Sequence, residues 1–150
     1  MTTRERIDKF LAERELAVVG VSRSGKKFGN YAYRALRERG YRLFPIHPHA
    51  ETLEGDRAYV GLDALPERVG GVMVAVPPPE AERVIRAAAA AGVKRVWLQQ
   101  GSESPEALRL CEEFGIAVVH GQCILMFAEP VRSGHKLHRW IWRLLGKLPR

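Results

Sequence analysis

Long apolar runs are missing from this sequence of 150 residues. The longest, such as residues 72–79, fall far below the roughly 18 residues that a membrane span requires. The opening stretch MTTRERIDKFLAERE is charged throughout, unlike a secretory leader. A cytoplasmic protein is therefore expected. Cysteine is scarce as well: Cys111 and Cys123 are too few for a disulfide framework, and both are expected to be reduced thiols. No repeat of solenoid period and no low-complexity linker is present, and the alanines at 87–91 suit a helix packed closely on a sheet. The dinucleotide pattern G-x-G-x-x-G is absent too. In LAVVGVSRSGKKFGN the glycines fall at Gly20, Gly25 and Gly29 instead.

What is present fits one globular domain. With 46% hydrophobic and 27% charged residues, the chain has material for both a core and a solvated surface. The formal net charge of +7 is unevenly spread. Arg132, Lys136, Arg139, Arg143, Lys147 and Arg150 supply six of the seven, with no acid after position 130. The division expected is a domain over 1–130 and a basic tail over 131–150. A second group of cations, Arg23, Lys26, Lys27, Arg34, Arg37, Arg39 and Arg42, begins at the odd glycine loop and faces the single acid Glu38.

Periodicity predicts alternating helices and strands. Residues 4–14 place Ile7, Phe10 and Leu11 at helical spacing, whereas 16–21 is a continuous apolar run of the kind buried on both faces of a sheet. A helix over 30–39 stops at Gly40, and YRLFPI follows as the second strand. Residues 47–61 read as loop, with a short helical turn after them in LDALPERV. GGVMVAVPPP is the third strand, and the helix over 79–92 begins at a proline and ends at a glycine. VKRVWLQQG is the fourth strand, Ser104 caps a helix that runs to Gly115, and IAVVHG is the fifth. Strands joined by helices of this length make right-handed crossovers. The fold class is therefore α/β: a single Rossmann-like, doubly wound domain with a mainly parallel five-stranded sheet, plus a C-terminal basic amphipathic helix.

Ligands of such sheets bind beyond the carboxyl ends of the strands. After the first strand, Gly20 permits a sharp turn, Ser22 offers a hydroxyl and backbone amides, and Gly29 permits close backbone approach at the next helix start. These glycines are also ordinary turn residues, but their clustering with Arg23, Lys26 and Lys27 favours a phosphate. An NAD site places an acid about 20 residues after its glycine loop, and here no acid stands until Glu51. His47 and His49, read beside Arg23 and Arg42, suit a phosphorylated ribose better than a bare one. The alternative is a pair of exposed loop histidines. VAVPPPEA gives a stiff apolar wall for an adenine or a pantetheine chain. Cys123 has no legible His–Asp partnership, so no catalytic residue is assigned. His135 and His138 lack a third ligand, so no metal is assigned either.

The ordered segments AVVGVSRSGKKFGN, GYRLFPIHPHAETLEG, VAVPPPEA, VWLQQG and CEEFGIAVVHGQCI resemble the small stand-alone CoA-binding proteins, whose Rossmann-like domain is shared with the N-terminal part of the succinyl-CoA synthetase α subunit. The resemblance covers about residues 5–128. It implies that Gly20, Val21, Ser22 and Arg23 face the CoA diphosphate and that Lys26 or Lys27 reaches phosphate oxygens. It further implies that His47 and Pro48 lie against the nucleotide end and that Val76, Pro77 and Pro79 line the ligand's path. H-P-H here replaces the family's N-P-K after the second strand. The synthetase subunit's second domain, with its phosphorylated histidine, has no counterpart in these residues. Non-catalytic binding of coenzyme A or an acyl-CoA is therefore expected rather than an enzyme.

In the tail, Leu137, Ile141, Leu144 and Leu145 share one helical face, with cations on the rest. Packing on its own domain or on a second copy in a homo-oligomer is favoured over contact with a membrane surface or nucleic acid. The two rival readings are an NAD(P)-binding enzyme and an interaction module acting through this tail.

Overall fold

A computed structural model of the chain describes residues 1–128. The first helix, α1 (Thr3–Ala12), starts at a capping box in which Thr2 and Glu5 exchange side-chain to backbone hydrogen bonds, and it buries Ile7 and Phe10. Five strands, β1 (Glu15–Val19), β2 (Arg42–Ile46), β5 (Gly71–Val74), β6 (Arg95–Gln99) and β7 (Ala117–Gln122), form one sheet in the order β2-β1-β5-β6-β7, every pair parallel. The expected Rossmann-like, doubly wound architecture is present. The apolar runs read as strands are fully buried along most of their length, as a sheet covered on both faces requires.

Two helices cover each face. α2 (Phe28–Glu38) joins α1 on one side, where Tyr33, Leu36, Met73, Trp97 and Phe127 share a core. α3 (Pro78–Ala90) and α4 (Pro105–Glu113) lie on the other, over Val72, Val96 and Leu98. In α3 the inward residues are Ala81, Ile85 and Ala88, so small side chains let the helix sit close to the strands. α4 begins where Ser104 Oγ accepts the Ala107 N–H at 3.0 Å and Pro105 takes the first helical position. Single 3₁₀ turns follow at Leu62–Ala64 and Ile124–Met126.

Several boundaries differ from the sequence patterning. The first strand ends at Val19 rather than 21, because Gly20 leaves extended geometry at φ +118°. α2 begins at Phe28, two residues before Asn30. The expected loop over 47–61 contains a hairpin, β3 (Thr52–Leu53) paired antiparallel with β4 (Asp56–Arg57). Its turn residues Glu54 and Gly55 both have positive φ, 52° and 82°, as a two-residue hairpin turn demands. Tyr33 donates to Asp56, and Arg37 reaches the Glu54 carbonyl at 2.7 Å and the Asp56 carboxylate at 3.0 Å, fastening the hairpin to α2. The helix expected over 131–150, and the segment boundary with it, lie outside the described residues. Among the described residues no helix is long and apolar enough to cross a membrane.

Trp97 is the largest side chain in the core and is fully buried. Its ring lies edge-on to Phe10 with centroids 5.5 Å apart, and its Nε1 donates to the Gln122 carbonyl at 3.1 Å. Trp97→Ala is expected to lower unfolding free energy by about 3–5 kcal/mol, read from urea denaturation. A loss below about 1 kcal/mol contradicts this packing.

Candidate functional site

The carboxyl ends of β1, β5 and β6 meet where the strand order reverses, between β1 and β5. Three backbones crowd together at this point. A Cβ on Gly29 would stand 2.1 Å from the Gly20 carbonyl oxygen, and a Cβ on Gly20 would stand 2.4 Å from that of Ala75. The close approach inferred for Gly29 is therefore made to the chain's own loop. It brings the first turn of α2 directly over the strand ends.

Asn30 follows Gly29 into this crowded layer and is completely buried. Its Oδ1 accepts the Ser22 N–H at 3.0 Å and the Ser22 hydroxyl at 2.7 Å, while its Nδ2 donates to the Ser22 carbonyl and to Glu54 Oε2, both at 2.9 Å. Arg34 grips the same carboxylate at 2.8 Å and also donates to the Gly25 carbonyl at 3.3 Å. Burial pushes the Glu54 carboxyl upward, but the hydrogen bonds from Asn30 and Arg34 outweigh it and hold its pKa below the usual range. The loop over 20–27 is thus tied down from beneath at two points. Asn30 and Glu54 were not singled out from sequence, where the signal was a lone amide on the otherwise apolar inner face of α2.

Ser22 consequently has its amide and its hydroxyl proton committed to Asn30. The donors left open are elsewhere. No side chain caps α2, and the amides of Phe28 and Gly29 have no hydrogen-bond partner among the described residues. They border a cavity of about 700 Å³, with Lys27, Phe28 and Gly29 along one side. Opposite them run Ala75, Val76, Pro77 and Pro78, an apolar wall. Gln99, Ser102 and Cys123 also line it. The Ser102 hydroxyl braces that wall, accepting from the Val76 amide at 3.1 Å and donating to the Val74 carbonyl at 3.3 Å.

The remaining sequence-assigned residues divide clearly. Arg23, Lys26 and Lys27 are exposed on the loop, whereas Val21 points into the core at 2% exposure and can offer only backbone. Pro79 is exposed on the first turn of α3, and Pro78 takes its place on the wall, because the helix starts one residue earlier than expected. His47 Nδ1 accepts the amides of His49 and Ala50 at 3.0 Å each, folding a tight turn around the exposed Pro48. Burial and, behind it, the nearby positive charge of Arg23 lower the His47 pKa, which keeps the ring neutral with Nε2 as its donor. Arg42 does not join this group. It opens β2, roughly 13 Å of strand away from Ile46 at about 3.3 Å per residue, and pairs with Glu67 at 2.8 Å. Among the described residues no cluster of potential metal ligands occurs.

A strand-end cleft at the switch point, bordered by an anchored basic loop and a helix N-terminus, defines a Rossmann-like nucleotide-binding domain. Residues 14–129 match the family described as CoA binding domain, and the chain belongs to that family. It is homologous to the α subunit of the ADP-forming acetate–CoA ligase II of Pyrococcus furiosus, 24% identical over 129 residues. That match covers 79% of this chain and 28% of the subunit, so the chain spans well under a third of that relative's length. A conserved hypothetical protein of Pyrococcus furiosus has a similar structure, with 34% identity, a TM-score of 0.71, and coverage of 74% of this chain and 96% of its own. A Thermus thermophilus protein gives 30%, 0.77, 88% and 100% for the same quantities. The apo dinucleotide-forming acetyl-coenzyme A synthetase 1 of Candidatus Korarchaeum cryptofilum is 27% identical, with a TM-score of 0.62 over 70% of this chain and 25% of that one.

Removing the Asn30 amide strands the Ser22 amide and carbonyl. Asn30→Ala is expected to cost about 2–4 kcal/mol of unfolding free energy, and a loss under about 0.5 kcal/mol removes the clamp from the account. Glu54 adds a pH signature. Its folded pKa lies below the ordinary 4.5, so its contribution is complete above that value and is lost as pH falls through the folded value. The stability gap between the wild type and Glu54→Gln should be widest near neutrality and narrow in acid. A gap that widens in acid contradicts the assignment.

Proposed function

We propose that this chain binds CoA, or an acyl-CoA, in the strand-end cleft without catalysing a reaction on it. The observation that carries the reading is the pair of open amides at Phe28 and Gly29, beside Lys27, facing the cavity that the proline wall completes. The N-terminus of an 11-residue helix with unfilled donors and an adjacent ammonium is suited to a diphosphate. The wall of Val76, Pro77 and Pro78 presents apolar surface and few donors, suited to a pantetheine arm rather than to a second phosphate. Gly20 and Gly29 serve by letting the backbones meet, and Ser22 serves by holding the loop to Asn30.

The family membership supports this ligand class, and the Korarchaeum protein named for acetyl-coenzyme A synthesis shares the fold. The non-catalytic reading is supported by the lining itself: among the described residues bordering the cavity there is no histidine or carboxylate to serve as a base for Cys123. Arg23, with neutral His47 donating through Nε2, is the proposed contact for the ribose 3′-phosphate. Arg42 has no part in it.

Calorimetric titration with CoA, dephospho-CoA and NAD at two salt concentrations tests the reading. CoA is expected to bind about tenfold more tightly than dephospho-CoA, equivalent to about 1.4 kcal/mol, and both more tightly than NAD. Raising salt should narrow the gap between CoA and dephospho-CoA, because Arg23 is exposed and screened. Arg23→Ala should narrow it as well. NAD binding as tightly as CoA restores the dehydrogenase-like reading.

A further inference from the structure

The outer edge of β2 carries an interrupted ladder. Tyr59 runs parallel to this edge, donating to the Pro45 carbonyl at 2.9 Å and accepting the His47 N–H at 2.8 Å. The next step back would take an N–H of residue 45 to the Arg57 carbonyl, and a proline has none. The ladder stops there. Leu43 shares the outward phase of Pro45 and His47, because the Arg42 N–H is turned the other way, to the Arg14 carbonyl at 2.8 Å. Arg57 shares the phase of Tyr59, because the Ala58 N–H goes back across the hairpin to Glu51 at 2.9 Å. Leu43 and Arg57 thus each turn an N–H and a C=O toward the space between β2 and β4, and no backbone hydrogen bond joins the two.

We propose that this gap is a docking site for an acidic peptide segment in extended conformation, whose backbone pairs with Leu43 and Arg57 and whose carboxylates meet the arginines around them. The space is a cavity of about 280 Å³ bordered by Leu43, Phe44, Asp56 and the side chains of Arg37, Arg42 and Arg57. Arg57 forms no ion pair among the described residues, while Arg37 with Asp56 and Arg42 with Glu67 form exposed pairs, which hold their partners weakly. An extended chain presents its N–H and C=O groups to alternate sides, so one segment serves Leu43 on one side and Arg57 on the other. A simple oxyanion matches only the donors. The site lies at the amino end of β2, away from the strand-end cleft, and does not depend on what that cleft binds.

Charge and ring burial argue against the other occupants. A second copy laid edge to edge on β2 would set these arginines against their own symmetry mates. The residues after 130 carry six cations and no acid, so they do not complement the gap. Nucleic acid needs open ring faces for stacking, whereas Tyr41 and Phe44 are each 5% exposed, with Arg14 and Arg42 over their rings at 3.7 and 5.6 Å.

The experiment titrates the full chain into a fluorescein-labelled peptide of alternating glutamate and valine and reads anisotropy at low salt. The comparisons are the same peptide N-methylated at alternate residues, a peptide of alternating lysine and valine, and single-stranded oligodeoxythymidylate. The acidic peptide is expected to bind at least ten times more tightly than each of the three. Arg57→Glu reverses the unpaired charge on an exposed turn of the hairpin and should weaken binding at least tenfold. Pro45→Val restores an N–H for the Arg57 carbonyl and closes the ladder, so it should weaken binding about tenfold with all three arginines in place. Equal affinity for the N-methylated peptide reduces the site to charge alone and overturns the proposal. Tighter binding of the oligonucleotide, no binding of the acidic peptide to the wild type, or unchanged affinity in both variants overturns it as well.

Discussion

Everything at the carboxyl end of this sheet depends on three backbones being allowed to touch. The Gly29 backbone sits on the Gly20 carbonyl and the Gly20 backbone on that of Ala75, at separations that leave no room for a Cβ on either glycine. Because the two glycines are nine positions apart, the chain between them forms a long loop in place of the short turn of a dinucleotide fingerprint. The same contact sets Asn30 one residue beyond the meeting point, where its amide reaches back to Ser22. A loop of this length would otherwise carry many unfixed dihedrals. The clamp removes that freedom before any ligand arrives.

Anchoring and the proposed ligand contacts fall to different residues. The inner side chains, buried Asn30 with partly buried Glu54 and Arg34, satisfy one another and hold the loop, and they spend their hydrogen bonds doing so. The exposed side chains, Arg23, Lys26 and Lys27, carry charge but little structure. The family's ligand is strongly anionic, and this arrangement places exposed cations on an anchored loop. His47 follows the same logic: its Nδ1 is consumed by two backbone amides, and the ring contributes a neutral donor rather than a charge.

Much of the fold was legible because the controlling signals are local. Continuous apolar runs marked the buried strands, while Pro105 with Ser104 and the glycines at 40, 92 and 115 marked helix ends. The hairpin was hidden because strands of two residues are too short to show alternation and an E-G turn is a weak signal. Asn30 was hidden because burial of one amide is decided by backbone contacts that no spacing announces. Arg42 was misplaced for a simpler reason. Nearness in sequence to His47 is not nearness in space along an extended strand, and Arg42 stands at the opposite end of β2. Lys27 and the proline wall border one cavity, whereas the exchange of Pro79 for Pro78 on that wall turned on a single residue of helix boundary.

The central claim is that ligand enters the cleft between the clamped loop and the proline wall. Amide chemical-shift mapping during titration with CoA addresses it directly. The account predicts the largest shifts at Arg23, Lys27, Phe28 and Gly29 and at Val76, Gln99 and Ser102. It predicts little change around Leu62, Val69 and Val93, which border a separate cavity of about 460 Å³. Large shifts around that second cavity, with the loop and the wall undisturbed, would contradict it.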